Sequence, residues 1–221
     1  MAIHEAGHAA AAHVYLKGAE STRISIRRRG GALGHHMALE KEERFSSWRH
    51  EELGRLTWAL GAMAAERVFY GENSTGVGGD VQSATARASW MVGSCAMAPE
   101  PVSANGVRKK DEETKRMVEE RLRKIGTQIM MRAGSSPMHG DQIASVTGDR
   151  DKRMLVTQFL GEAFVTAYHL IQHNKEQVEK VAEAIIDKRE VYGNELLELL
   201  DEAKLEVPEV DLTKEEAWPR I

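Results

Sequence analysis

A single cysteine, Cys95, stands in 221 residues, so no internal disulfide can form and the fold has to rest on its core. Such sparse cysteine use fits a cytosolic or cytosol-facing chain. Aromatic residues are only 5% and prolines only five, so little interrupts helix, and the plentiful Ala, Leu, Met, Glu, Lys and Arg favour it. The formal charge of -4 is too balanced to draw a polyanion. The one basic cluster, "RISIRRRGG", has no aromatic residues beside it, so no nucleic-acid partner is expected. No apolar run approaches the roughly 20 residues that span a bilayer. The first residues, "MAIHEAGHAAAAHV", break their apolar stretch with charge and histidine, which excludes a signal peptide. What is left is a globular, mainly α chain long enough to bury a real core.

Residues 2 to about 17 have helix-forming composition up to Gly18, and Gly7 inside that helix points to something packed closely against it. In "STRISIRRRGGALGHHMAL", Ile24 and Ile26 alternate with polar residues at strand period. Gly30 and Gly31 make a turn, and "ALGHHMAL" returns as a second strand. His35 and His36 then point to opposite faces, and one of them can approach a cleft. The next helix runs through "SSWRHEELGRLTWALGAMAAERVFYG", capped by Ser46 or Ser47 and stopped by Gly71. "ENSTGVGG" is a loop, and "DVQSATARASWMVGS" a helix with Asp80 at its N-terminal end. A charged helix spans "KDEETKRMVEERLRKIGTQIMMR", one long amphipathic helix covers 152 to 189, and "NELLELLDEAK" is a last short one. Residues 206–221 read as a loose polar tail.

The chemistry sits at the start. "HEAGH", residues 4 to 8, has the HExxH pattern. On a helix the spacing puts both histidines on one face, one turn apart, where their imidazoles can share a zinc ion. Glu5 lies beside them, placed to take a proton from a water. A catalytic zinc needs a third protein ligand. A third histidine ten residues after the first is ruled out, because position 14 is Val14 and His13 is one place off. Glu40, Glu42 and Glu43 sit in a turn-like charged run. Glu66 and Asp80 remain, both on helices, and spacing alone does not choose between them. "HLIQH" repeats the spacing at His169 and His173 without a glutamate and reads as helix surface.

Four stretches, "HEAGHA", "GGALG", "LGAMAAERVFYGENSTGVGGD" and "ATARASWMV", follow one another in the order of the proteolytic domain of FtsH-type ATP-dependent zinc metalloproteases. The chain resembles that family closely over about residues 2 to 93. It does so more loosely over about 155 to 203, where "AEAIIDKREVYGNELLELL" is similar to the family's C-terminal helices. The resemblance implies that His4, His8 and Asp80 bind zinc and that Glu5 is the general base; Glu66 then reads as structural, bonding near the site. It also implies that Ala32, Leu33 and Gly34 on the "GALG" strand edge pair with the main chain of an extended substrate.

Gly79 stands where the family usually has Asn, and residues 94–154 diverge from its pattern. No GxxxxGK[ST] occurs, so no ATP site is expected in these residues. The expectation is therefore a helical zinc-peptidase domain over 1–205, with an insertion-like segment at 94–154 and a small β element near the active site. It would cleave unfolded proteins without an ATPase of its own and assemble, by resemblance, as a homo-hexamer. The alternative is a zinc-containing interaction module that has lost proteolysis.

Overall fold

Helix α1, Ala2–Tyr15, is built largely from alanine, and its buried alanines let another helix come close. That helix is α2, Arg49–Tyr70. They meet glycine against glycine: a Cβ on Gly7 would lie 2.6 Å from the Gly61 carbonyl oxygen and 2.6 Å from the Ala65 Cβ. A Cβ on Gly61 would lie 2.5 Å from the Gly7 carbonyl oxygen. The gap at Gly7 is therefore needed for the crossing. A computed structural model describes residues 1–27, 34–99, 111–132, 146 and 148–219. Within it the chain forms two compact units, Met1–Val77 with Thr166–Pro208, and Gly78–Val165 with Glu209–Ile221.

In the first unit, β1 (Ala19–Ser25), β2 (His35–Glu40) and β3 (Glu190–Tyr192) form an antiparallel sheet in the order β2-β1-β3. Across it, Ile24 pairs with His36 and Val191, and Ile24 and Val191 are fully buried. Arg23 pairs with Met37 and Tyr192, which are exposed. Alternation therefore turns the His36 row toward the core and the Met37 row outward. The register shifts between Ser21 and Arg23, a bulge that resets this alternation. The antiparallel pairing of β1 with β2 follows the sequence reading, while the turn expected at Gly30 and Gly31 lies outside the described residues; the third strand was not expected, because three residues are too short to leave a period.

Two further details depart from expectation. The N-cap of α2 is Trp48, whose N–H donates to Glu51 at 2.8 Å, while the Ser47 hydroxyl donates to Glu52. Gly71 closes α2 in the left-handed region, at φ 76°, as expected. The single helix expected over 152–189 is two, α5 (Arg150–His173) and α6 (Lys175–Lys188). The break is at buried Asn174. Its amide nitrogen donates to the carbonyls of Leu170 and Glu206, and its oxygen accepts the Glu206 N–H, each at 2.8 Å. Helix α7, Asn194–Ala203, completes the unit.

The second unit contains α3 (Gly78–Gly93), α4 (Asp111–Arg132) and α5 as far as Val165. A Cβ on Gly126 would lie 1.7 Å from the Thr157 carbonyl oxygen, and one on Gly161 would lie 1.9 Å from that of Leu122, so α4 and α5 touch backbone to backbone. The tail is not loose. Arg121 of α4 pairs with Glu215 and stacks over Trp218, and the Trp218 indole donates to the Leu212 carbonyl. Among the described residues one helix, α5, is long and apolar enough by length and composition to cross a membrane, although no uninterrupted apolar run suggests it. Of its most apolar window, 67% is buried within the protein, as in a core helix.

Candidate active site

Helix α1 carries His4, Glu5 and His8 in its first two turns, with Glu5 and His8 buried. The two imidazole rings stand edge to face, centroids 5.1 Å apart. Each ring is held by its Nδ1. The Nδ1–H of His4 donates to Glu66 Oε1 at 2.9 Å, and that of His8 donates to the Trp58 carbonyl oxygen at 2.9 Å. A carboxylate and a carbonyl only accept, so both ring protons sit on Nδ1 and both lone pairs on Nε2, the atom a metal takes.

Glu66, on α2, reaches further. It also accepts the Ser74 N–H at 2.6 Å and the Ser74 hydroxyl at 2.9 Å. Burial pushes its carboxyl up, but the bonds to His4 and Ser74 outweigh this and hold it below the ordinary value. It is thus an anion at neutral pH, orienting His4 and the loop after α2. That loop tightens into a 3-10 turn over Thr75–Val77, and a Cβ on Gly76 would come within 4.0 Å of His4 Cε1. In the second unit, Asp80 lies in the first turn of α3, where a carboxylate suits the helix dipole.

Of the residues expected on the substrate edge, Ala32 and Leu33 lie outside the described residues. Gly34 lies directly against the acid: a Cβ there would meet Glu5 Oε1 at 2.6 Å, the Ser25 carbonyl at 2.9 Å and Met1 Sδ at 3.0 Å. The residue just before β2 is therefore packed on Glu5. His36, two residues on, is the histidine that turns inward. The Trp58 indole N–H donates to its Nδ1 at 2.9 Å, so the ring proton is on Nε2, which donates to Ser21 Oγ at 2.9 Å. Sequence reasoning did not find this pairing, since Trp58 and His36 are 22 residues apart and share no motif.

Burial, with smaller contributions from His8 and His35, lowers the His36 pKa to about 3. Unfolded His36 binds a proton near 6.5, so below that pH the unfolded state holds more protons and stability falls with acid. The contribution is complete above pH 6.5 and lost progressively toward pH 3, about 2 kcal/mol of it by pH 5. His36→Asn, whose Oδ1 can accept the indole N–H, is expected to remove that part of the pH dependence. Denaturant titrations at pH 7 and pH 5 check it, and equal slopes for both proteins would contradict the assignment.

Compared with known proteins, residues 1–199 match the model of peptidase family M41. The chain is 28% identical over 201 residues to "ATP-dependent zinc metalloprotease FtsH 3" of Symbiobacterium thermophilum, covering 91% of this chain and 29% of that protein. It is 32% identical over 202 residues to the "ATP-dependent zinc metalloprotease FtsH" of Rubrobacter xylanophilus, covering 91% and 28%. Against the protein of that name from Sulfurovum sp., identity is 45% over 94 residues, 42% of this chain and 14% of the relative. The chain thus spans less than a third of the length of these relatives. With a buried HExxH helix whose two histidines are held through Nδ1, and a family match running from the first residue into α7, the chain belongs to peptidase family M41.

Proposed function

We propose that the chain is a zinc-dependent endopeptidase that cleaves unfolded polypeptide. One observation carries the reading: the HExxH imidazoles are each fixed by an Nδ1–H bond, to Glu66 and to the Trp58 carbonyl, which aims the chemistry of the pair at Nε2. On this reading His4, His8 and Asp80 would supply two imidazoles and one carboxylate, a donor mix that suits a catalytic zinc with one position left open. Zinc there supplies a Lewis acid that polarises the scissile carbonyl and acidifies a water.

The chain's own residues do the rest. Glu5 takes a proton from the attacking water as its oxygen bonds to the carbonyl carbon. It returns that proton to the amine as the C–N bond breaks. Ala32, Leu33 and Gly34 pair with the main chain of an extended substrate and lay the scissile bond beside Glu5. Extended pairing requires an unfolded segment, which is why loose chains are the natural substrates. The relatives' names carry ATP dependence, so on this reading unfolding power comes from an ATPase module outside these 221 residues, and the chain works facing the cytosol. Copies close into a hexameric ring; a monomer by light scattering would contradict that.

The test is hydrolysis of casein by the purified chain. Cleavage is expected with zinc, lost on chelation, and restored by adding zinc back. Zinc bound with casein left intact would instead favour an interaction module that has lost proteolysis.

A further inference from the structure

We infer that Trp58 is a positioning residue that ties the substrate-side strand β2 to the metal-side helix α1, an assignment that rests on the peptidase reading for its consequence but not for its geometry. Trp58 works from both ends. Its backbone carbonyl accepts the His8 Nδ1–H at 2.9 Å, and its indole N–H donates to His36 Nδ1 at 2.9 Å. The two rings of the second contact stand edge to face, centroids 5.7 Å apart. His36 passes the tie on through Nε2 to Ser21 Oγ on β1 at 2.9 Å. One half-buried residue of α2 is therefore bonded to the second histidine of the motif and to the strand that follows Gly34, the glycine packed on Glu5.

The tie has a physical purpose. β2 is an edge of the sheet, with one neighbour rather than two, and edge strands are held less firmly than central ones. It is preceded by Gly34, where an added Cβ would lie 2.6 Å from Glu5 Oε1. The indole–imidazole bond fixes the strand from its inner face, where a bound substrate strand cannot compete for it. Because His36 accepts at Nδ1 and donates at Nε2, neither ring nitrogen is available to the substrate. His36 thus supports the edge and does not touch what binds there.

The two roles of Trp58 can be separated, because one is backbone and one is side chain. Trp58→Phe keeps the carbonyl and a six-membered aromatic ring and removes the N–H together with the rest of the indole. His36→Leu removes the acceptor, and His36→Asn restores one at the Nδ1 position. In Trp58→Phe and His36→Leu, hydrogen exchange of the amides of residues 35–40 is expected to quicken about tenfold, while α1 exchange and zinc affinity hold within about threefold. His36→Asn is expected to exchange as the wild type does. With a fluorogenic extended peptide, the first two variants are expected to raise KM about five- to twentyfold and leave kcat within about threefold. Unchanged exchange in β2 for Trp58→Phe overturns the tie, whether or not the wild type cleaves anything. Faster exchange with KM unchanged and kcat lowered would overturn the assignment to substrate positioning. A wild type that exchanges as described but is inactive with bound zinc leaves the tie standing and counts against the peptidase reading.

Discussion

Glu5→Gln is expected to lower kcat by about 10²–10⁴-fold, the range spanned by a positioned general base, with fold and zinc affinity kept. The amide matches the carboxylate in size and cannot take the water's proton. The surroundings make this a clean substitution: Glu5 is buried in the first turns of α1, and Gly34, just before β2, lies directly on it. Little room exists for the side chain to move and no second acid of α1 lies in reach, since Glu5 is the only carboxylate that helix carries. Steady-state hydrolysis of casein or a fluorogenic peptide, read beside zinc content, checks the expectation. Retention of more than about a tenth of the wild-type rate would move the base to another residue.

Gly7→Val should do as much damage by another route. The position is forced by the α1–α2 crossing, where any Cβ would sit 2.6 Å from a carbonyl oxygen and from the Ala65 Cβ. Neither neighbour is the far end of a flexible side chain, so the helices must separate. Overpacking of a tight core typically costs about 1–3 kcal/mol and occasionally more; with backbone as the obstacle, about 3 kcal/mol or more is expected. Separation of α1 from α2 would also pull His4 from Glu66 and His8 from the Trp58 carbonyl, so zinc affinity should fall with stability. Gly78→Ala is the control, because a Cβ there meets nothing within 4 Å. Denaturant unfolding of the three proteins decides it. A Gly7→Val chain as stable as Gly78→Ala would contradict the close crossing.

What could be read from the sequence was local. HExxH carries its own geometry, because a four-residue step on a helix places both imidazoles on one face. Gly71 announces itself through a backbone conformation that other residues avoid. Gly7 was conspicuous because it costs helix stability, and only packing explains keeping it. The misses share a cause. Asn174 splits a pattern that stays amphipathic across it, and the break is set by bonds to Glu206, 32 residues away. The Trp48 cap replaces two serines because Glu51 and Glu52 turn back on the start of α2. His36 and Trp58 find each other through the tertiary fold, and no spacing rule links a strand residue to a helix residue 22 positions on. The tail docks through Arg121, nearly a hundred residues before it, so its polar composition alone read as loose.

On the proposed reading His4, His8 and Asp80 together would hold the metal that Glu5 works beside. The most direct measurement is the zinc affinity of Asp80→Ala against the wild type, by competition with a chromophoric chelator at neutral pH. Loss of a residue that merely orients a ligand costs about 10–100-fold in affinity, so loss of a ligand itself should cost about 100-fold or more, with unfolding stability of the metal-free chain little changed. Equal affinity in the two proteins would remove Asp80 from the site and send the third ligand back to the other carboxylates.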